Sequence, residues 1–298
     1  MEIRDDHGLA VAIASVDEAL GGSFPDVTVV RVPDPPRDSW EALAQRGFLR
    51  KPAWLTWLSP TCGSDAEWLA QLTRSARNNM RGARRRVAAD LRVDVRQPVT
   101  PELLDDFLVL YEAMVATMPH GVTFASSLRD AVLADERHFA VYAVGADGLA
   151  GCVLCREDAD SGRLLVRFSA FAPRWRQVGL ARVLYAEAVG AAREKGYRQV
   201  TLGNDPNLYG HIAQPGLFAF KAGLGFTPVP APPFGVTAWR DEADLVRSLT
   251  GLGDLALVLS YTDAASDAFR LDVHSRDRVD LTAYTRPFVV ETRWHSLS

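Results

Sequence analysis

Between His138 and Gly196 the chain follows a pattern that leaves few architectures open. Phe139 to Val144, Leu149 to Cys155 and Arg163 to Phe171 are three short runs of strand character. Gly145-Ala146-Asp147-Gly148 and a turn over Glu157 to Gly162 join them. Such links are too short for a parallel crossover, so the three runs form an antiparallel meander. Pro173 stops the third run. Beyond Arg176-Gln177-Val178-Gly179-Leu180-Ala181 the apolar period changes to that of a helix, Leu180 to Lys195, which Gly196 closes. A strand over Gln199 to Leu202, a long loop to Gly216, a helix over Leu217 to Ala222 and a further strand after Gly225-Phe226 follow. The fold class is α/β (α+β), a mixed central sheet flanked by helices.

The turn before the long helix has its own chemistry. Backbone N–H groups at a helix N-terminus point one way and the helix dipole adds positive potential, so a pyrophosphate sits there readily. Gly179 lets backbone approach the phosphates where a Cβ would intrude. On this account Gly179→Val is expected to abolish donor binding and leave the fold intact. The segment FSAFAPRWRQVGLARVLYAEAV resembles the acyl-CoA-binding signature of the GNAT superfamily, R/Q-x-x-G-x-G/A, with Arg176, Gly179 and Ala181 at its three specified positions. The resemblance covers roughly residues 138 to 228. It implies a GNAT fold, an N-acyltransferase activity with acetyl-CoA or another acyl-CoA as co-substrate, and donor contacts from Phe171, Arg176, Gln177, Val178, Gly179, Leu180, Ala181 and Asn204.

One position departs from the common pattern. Many members carry a tyrosine four residues before the glycine of the Gly-Phe pair, where it protonates the leaving thiolate. Here FAFKAGLGF has Lys221 at that place. This setting resembles the Fem-type peptidyltransferases, which take an amino acid from aminoacyl-tRNA. WEALAQRGFLRKP can also be laid over FAFKAGLGFTPVP, with Gly47-Phe48 on Gly225-Phe226. Tandem GNAT-like modules follow, the first degenerate: residues 1–100 with the basic helix, 101–235 as the donor-binding module, and 236–298 as an extension without an assigned role.

From Ala66 to about Leu91 the sequence predicts one helix, with Leu69, Leu72, Ala76, Met80, Ala83, Val87 and Leu91 on its apolar face. Beside them Arg74, Arg77, Arg81, Arg84 and Arg85 fall within an arc of about 100°, with Arg86 off it. The stripe reads equally as a solvated face or as a contact for nucleotide, tRNA or acceptor phosphates. An N-acyltransferase must also deprotonate an amine and protonate a leaving group. Asp205 and His211, in the loop after the Gln199 strand, are candidates for the first task, and Tyr209 or Lys221 for the second. For Lys221→Met the sequence predicts lost turnover and little loss of stability.

The remainder narrows the function class. With 48% hydrophobic and 23% charged residues in 298, the composition is that of a globular chain. A formal net charge of -4 gives no global pull towards nucleic acid or anionic membrane. No run approaches a membrane span, and acidic residues flank Leu9 to Ala14 where a signal peptide has a basic start, so a cytoplasmic location is predicted. Cys152 and Cys155 spell C-x-x-C in a strand, where residues three apart face opposite ways, which favours packing over a metal or redox pair. No metal is called for. The C-terminal segment predicts a helix around Glu242 to Leu249 and strands at Leu255 to Tyr261, Phe269 to Val273, Val279 to Ala283 and Phe288 to Val290. The first reading is transfer from acyl-CoA to an amine of a small molecule or peptide. The second is an aminoacyl-tRNA-dependent, amide-forming transferase, and the third a non-catalytic GNAT-like binding module.

Overall fold

The computed structural model describes all residues except 25, 233–237, 239, 264–265 and 298. The first elements are β1 (Glu2–Asp6), β2 (Leu9–Ile13), α1 (Val16–Gly21), β3 (Val29–Pro33), α2 (Trp40–Gln45), β4 (Leu49–Pro52) and β5 (Trp54–Pro60). Then come α3 (Asp65–Gln71), α4 (Arg74–Asp90), β6 (Arg92–Arg96), α5 (Pro101–Val115), α6 (Phe124–Ser127) and α7 (Arg129–Ala134). The meander is β7 (His138–Gly145), β8 (Gly148–Asp158) and β9 (Arg163–Phe171), followed by α8 (Pro173–Gln177), α9 (Leu180–Glu194) and β10 (Gln199–Pro206). The chain ends with α10 (Pro215–Gly223), β11 (Thr227–Ala231), β12 (Asp241–Val246), β13 (Leu255–Tyr261), β14 (Phe269–Ser275) and β15 (Val289–Ser296). These make two compact units that alternate along the sequence. One holds Met1–Trp57, Asn204–Ala222 and Thr227–Ser298; the other holds Leu58–Gly203 and Gly223–Phe226. The sequence division at residue 100 does not coincide with these units, and the one at 235 lies outside the described residues.

In the second unit β6, β7, β8 and β9 pair antiparallel in order, and β10 adds parallel to β9. Alternation assigns the faces. Cys152 and Leu154 join Phe107, Leu108 and Tyr111 of α5 in one apolar cluster. Gly151 points the other way, where a Cβ would come within 2.9 Å of Leu180 in α9. Cys152 and Cys155 are both free and fully buried. The single helix predicted over residues 66–91 is two. Leu72 is extended, and the Thr73 hydroxyl accepts from Ala76 N at 3.2 Å to start α4 afresh. A threonine that competes for backbone N–H groups interrupts an otherwise continuous helical period.

In the first unit the sheet order is β1-β2-β3-β12-β4. The helix predicted around Glu242 to Leu249 is therefore corrected: its first half is β12, hydrogen-bonded on both edges to β3 and β4. The acidic residues of β12 are each met by a cation from a neighbouring strand. Arg31 binds both oxygens of Asp244 at 2.8 Å, Lys51 reaches Glu242 at 2.9 Å, and Arg50 reaches Asp241 at 2.8 Å. Pairing across a sheet outweighs the local helix propensity. Strands β13, β14 and β15 form a separate sheet. Residues 279–283, predicted as a strand, are irregular and partly turn, and among the described residues no strand pairs with them.

This small sheet contains an acid-sensitive group. His274 is buried with neither ring nitrogen hydrogen-bonded, and it stacks on His295 at 4.5 Å. Burial, and then the neighbouring His295, push its imidazole down to about 3. Because the folded value lies below the unfolded one, the unfolded chain binds the extra proton between pH 6.5 and about 3, and stability falls as pH falls through that window. The slope is about 1.4 kcal/mol per pH unit. His274→Phe keeps the ring stack and removes this term. Urea midpoints at pH 6.5 and pH 5 are expected to show a wild-type loss larger than the variant's by about 2 kcal/mol.

Candidate functional site

The second unit carries the predicted donor turn at the start of the 15-residue helix α9. Gly179 is its N-cap, in the left-handed region at φ 88°. The N–H groups of Arg182 and Val183 close on Gly179 O at 3.0 and 3.4 Å, which leaves those of Leu180 and Ala181 without an intrahelical acceptor by helix geometry. Leu180 turns its side chain fully inward. Phe171 is buried at the end of β9, its ring against Tyr185 and its carbonyl accepting from Arg176 Nε at 3.2 Å. Gln177 and Arg176 are exposed and Val178 and Ala181 half-buried. A second constraint acts on Gly179, because a Cβ there would lie 3.0 Å from Ala83 Cβ on α4.

The arginine stripe divides. Arg77 donates to Ala70 O and Leu72 O at 3.0 and 2.7 Å, clamping the break between α3 and α4. Arg84 is a fork on Asp65 at 2.7 and 2.8 Å. Both guanidinium groups are thus engaged within the chain, so the five arginines of the stripe are not equivalent. Arg74, Arg81 and Arg85 are exposed. Arg86, which the helical wheel sets outside the stripe, is the residue that reaches the donor turn, donating to Val178 O at 3.1 and 3.3 Å. Its signal was absent from the sequence because the two positions are 92 residues apart.

The first unit holds all four predicted catalytic residues and brings three of them, Asp205, Tyr209 and Lys221, together at one carboxylate. Asn207 fixes the loop after β10: its amide donates to Pro52 O and Leu259 O at 3.0 and 2.8 Å, and its side-chain oxygen accepts from Leu259 N at 3.0 Å. Asp205 is thereby buried beneath α10, where Lys221 Nζ donates to both carboxylate oxygens at 2.8 Å. Tyr209, wholly inaccessible, donates to the same carboxylate at 3.2 Å, and Trp57 Nε1 donates to it at 2.9 Å. Phe218 closes the group, edge-on to Trp57 and Tyr209 at 5.2 and 5.3 Å. Burial lowers the Lys221 ammonium, against the pull of Asp205. Burial, and then Asp205, raise the Tyr209 phenol well above its ordinary value. His211 is buried with Nε2 3.2 Å from His7 O, and Asn204 is exposed, its amide on Pro232 O at 2.8 Å. Trp57 was not foreseen, since an alternating strand residue gives no hint of a partner 148 positions away.

Residues 74–211 match the family described as acetyltransferase (GNAT) domain. The match spans α4, the meander, the predicted donor turn and β10, which runs to Pro206 and so makes Asn204 and Asp205 strand residues where the sequence predicted a loop. Over those residues this chain is similar to a GNAT acetyltransferase domain. The search of curated proteins finds no match. Among solved structures, FemX is similar at 13% identity, covering 74% of this chain and 72% of that one, with a TM-score of 0.49. L-PGS from Bacillus licheniformis is similar at 13% identity over 72% and 67%, with a TM-score of 0.40. A tandem GNAT protein from the clavulanic acid biosynthesis pathway is similar at 15% identity over 74% of this chain and 64% of that one, with a TM-score of 0.41. The likeness to a GNAT domain therefore stands on the family match over residues 74–211 and on the observed strand order. Among the described residues no helix is long and apolar enough to cross a membrane.

Proposed function

We propose that the chain transfers an acyl group from acyl-CoA, acetyl-CoA in the first instance, to an amine of a small molecule or peptide. The observation that carries the donor is the turn: Arg176, Gly179 and Ala181 stand in the family pattern, Gly179 is left-handed at the N-terminus of α9, and Arg86 braces Val178 O. In this reading the amine attacks the thioester carbon and the carbon–sulfur bond breaks. Lys221, lowered by burial and held by Asp205, gives a proton to the departing sulfur and regains one from the new amide nitrogen. Tyr209 and Trp57 keep the Asp205 carboxylate in place.

A second reading, an aminoacyl-tRNA donor, has its own support. The helix, Gly-Phe and strand arrangement occurs twice, in α2 to β4 and α10 to β11, with Gly47 and Gly225 at φ 87° and 82° and both phenylalanines buried. Lys221 stands where a tyrosine is common. Because Arg77 is structural, the discriminating variant is Arg74→Gln, Arg81→Gln, Arg85→Gln. Transfer from acetyl-CoA and from charged tRNA is measured with both proteins over a salt series. Acetyl transfer that changes only a few-fold in the variant is the expected result. Activity with charged tRNA alone, with a salt slope flattened by about 2 to 3 log units per log unit in the variant, overturns the acyl-CoA donor. Inactivity with both donors would return the chain to a binding role.

A further inference from the structure

The first unit treats its shielded cations uniformly, with one exception. Arg31, Arg50, Lys51, Lys221 and Arg270 each meet a carboxylate at 3.1 Å or less. Arg286 is half-buried, its Nε is shielded from solvent, and among the described residues no carboxylate or other acceptor meets its guanidinium. Burial lowers its affinity for the proton, with no carboxylate to offset that. An arginine fork left without an oxyanion while partly desolvated is a site held ready for one, since charge-assisted pairing would offset the desolvation.

Its position says what the anion belongs to. Arg286 lies between Tyr284 and Phe288, and Val289 N donates to its carbonyl at 2.8 Å. Tyr284 and Phe288 each pack on Phe218 with ring centres 6.1 Å apart, and Phe288 also packs edge-on to Trp57 at 6.0 Å. Phe218 and Lys221 are three apart on α10 and so share a face, and Trp57 is the indole bonded to Asp205. The segment 284–288 is thus built onto the same aromatic group that borders the Lys221–Asp205 pair.

We propose that Arg286 binds an oxyanion of the acceptor, so that the amine acylated is one that also carries a carboxylate or phosphate, such as an amino acid or the free C-terminus of a short peptide. The proposal rests on the reading of Lys221 and Asp205 as the acyl-transfer group.

The probes are a dipeptide with a free C-terminus, the same dipeptide as its C-terminal amide, and an amino alcohol phosphate. Binding is measured by calorimetry without donor, and kcat/KM with acetyl-CoA, for wild type, Arg286→Gln and Arg286→Lys. The wild type is expected to favour an anionic probe over the amide by about 10- to 100-fold. Arg286→Gln reduces the ratio to near one, chiefly through KM, and Arg286→Lys restores part of it. Preference for the phosphate over the carboxylate identifies the source of the oxyanion and leaves the site standing. Equal binding of acid and amide by the wild type, or a preference undiminished in a folded Arg286→Gln or Arg286→Lys protein, overturns the proposal. Selective binding without turnover from any donor would sink the acyltransferase reading while retaining the anion site.

Discussion

Lys221→Met is expected to lower turnover by orders of magnitude and, contrary to what the sequence alone predicts, to destabilise the protein as well. The ammonium is buried on two contacts of 2.8 Å with Asp205. Removing it leaves a desolvated carboxylate with only Trp57 and Tyr209 as donors, and loss of one partner of a buried pair costs about 3–5 kcal/mol. The double variant Lys221→Met with Asp205→Asn removes the stranded charge. It is expected to recover most of the stability, by urea titration, and none of the turnover. If the double variant regained activity along with stability, Lys221 would be structural and the proton donor would have to be sought elsewhere.

Gly179→Val is expected to remove donor binding and also to strain the fold. Two physical terms add. A β-branched residue at φ 88° costs about 1–3 kcal/mol in backbone strain, and its Cβ would press on Ala83 at 3.0 Å. Sequence reasoning saw only the phosphates on that side of Gly179 and so predicted an intact fold. Gly179→Ala keeps the strain with a smaller side chain, and Arg86→Gln removes the brace on Val178 O with no change at the turn. Calorimetric titration with CoA should show a loss of at least about 100-fold for valine, less for alanine and about tenfold for Arg86→Gln. A folded Gly179→Val protein with wild-type affinity would end the assignment of the turn.

The legible parts of this chain are those whose cause is local. Three alternating runs closed by Gly-containing turns made β7, β8 and β9, because side-chain direction in a strand repeats every two residues. A period of 3.6 between Gly179 and Gly196 made α9, while the left-handed backbone of Gly179 at its start came from the structure. The same local reading failed where a distant partner decides. Residues 242–249 look helical alone, yet Arg31, Lys51 and Arg50 turn the first half into the strand β12. The helical wheel joined Arg77 and Arg84 to the stripe and left out Arg86, because it carries no information on which helix face meets a neighbouring turn.

Asp205, Tyr209 and Lys221 mark the same division. Sequence determined their types and set Asp205 and Tyr209 after the Gln199 strand and Lys221 on a helix, while in the structure β10 extends to Pro206 and takes in Asp205. That they share one carboxylate, with Trp57 from 148 residues away, was decided by tertiary structure alone. A residue's period and turn chemistry are set by neighbours within a few positions, while burial and the pairing of charge depend on which distant backbones the packed core brings together.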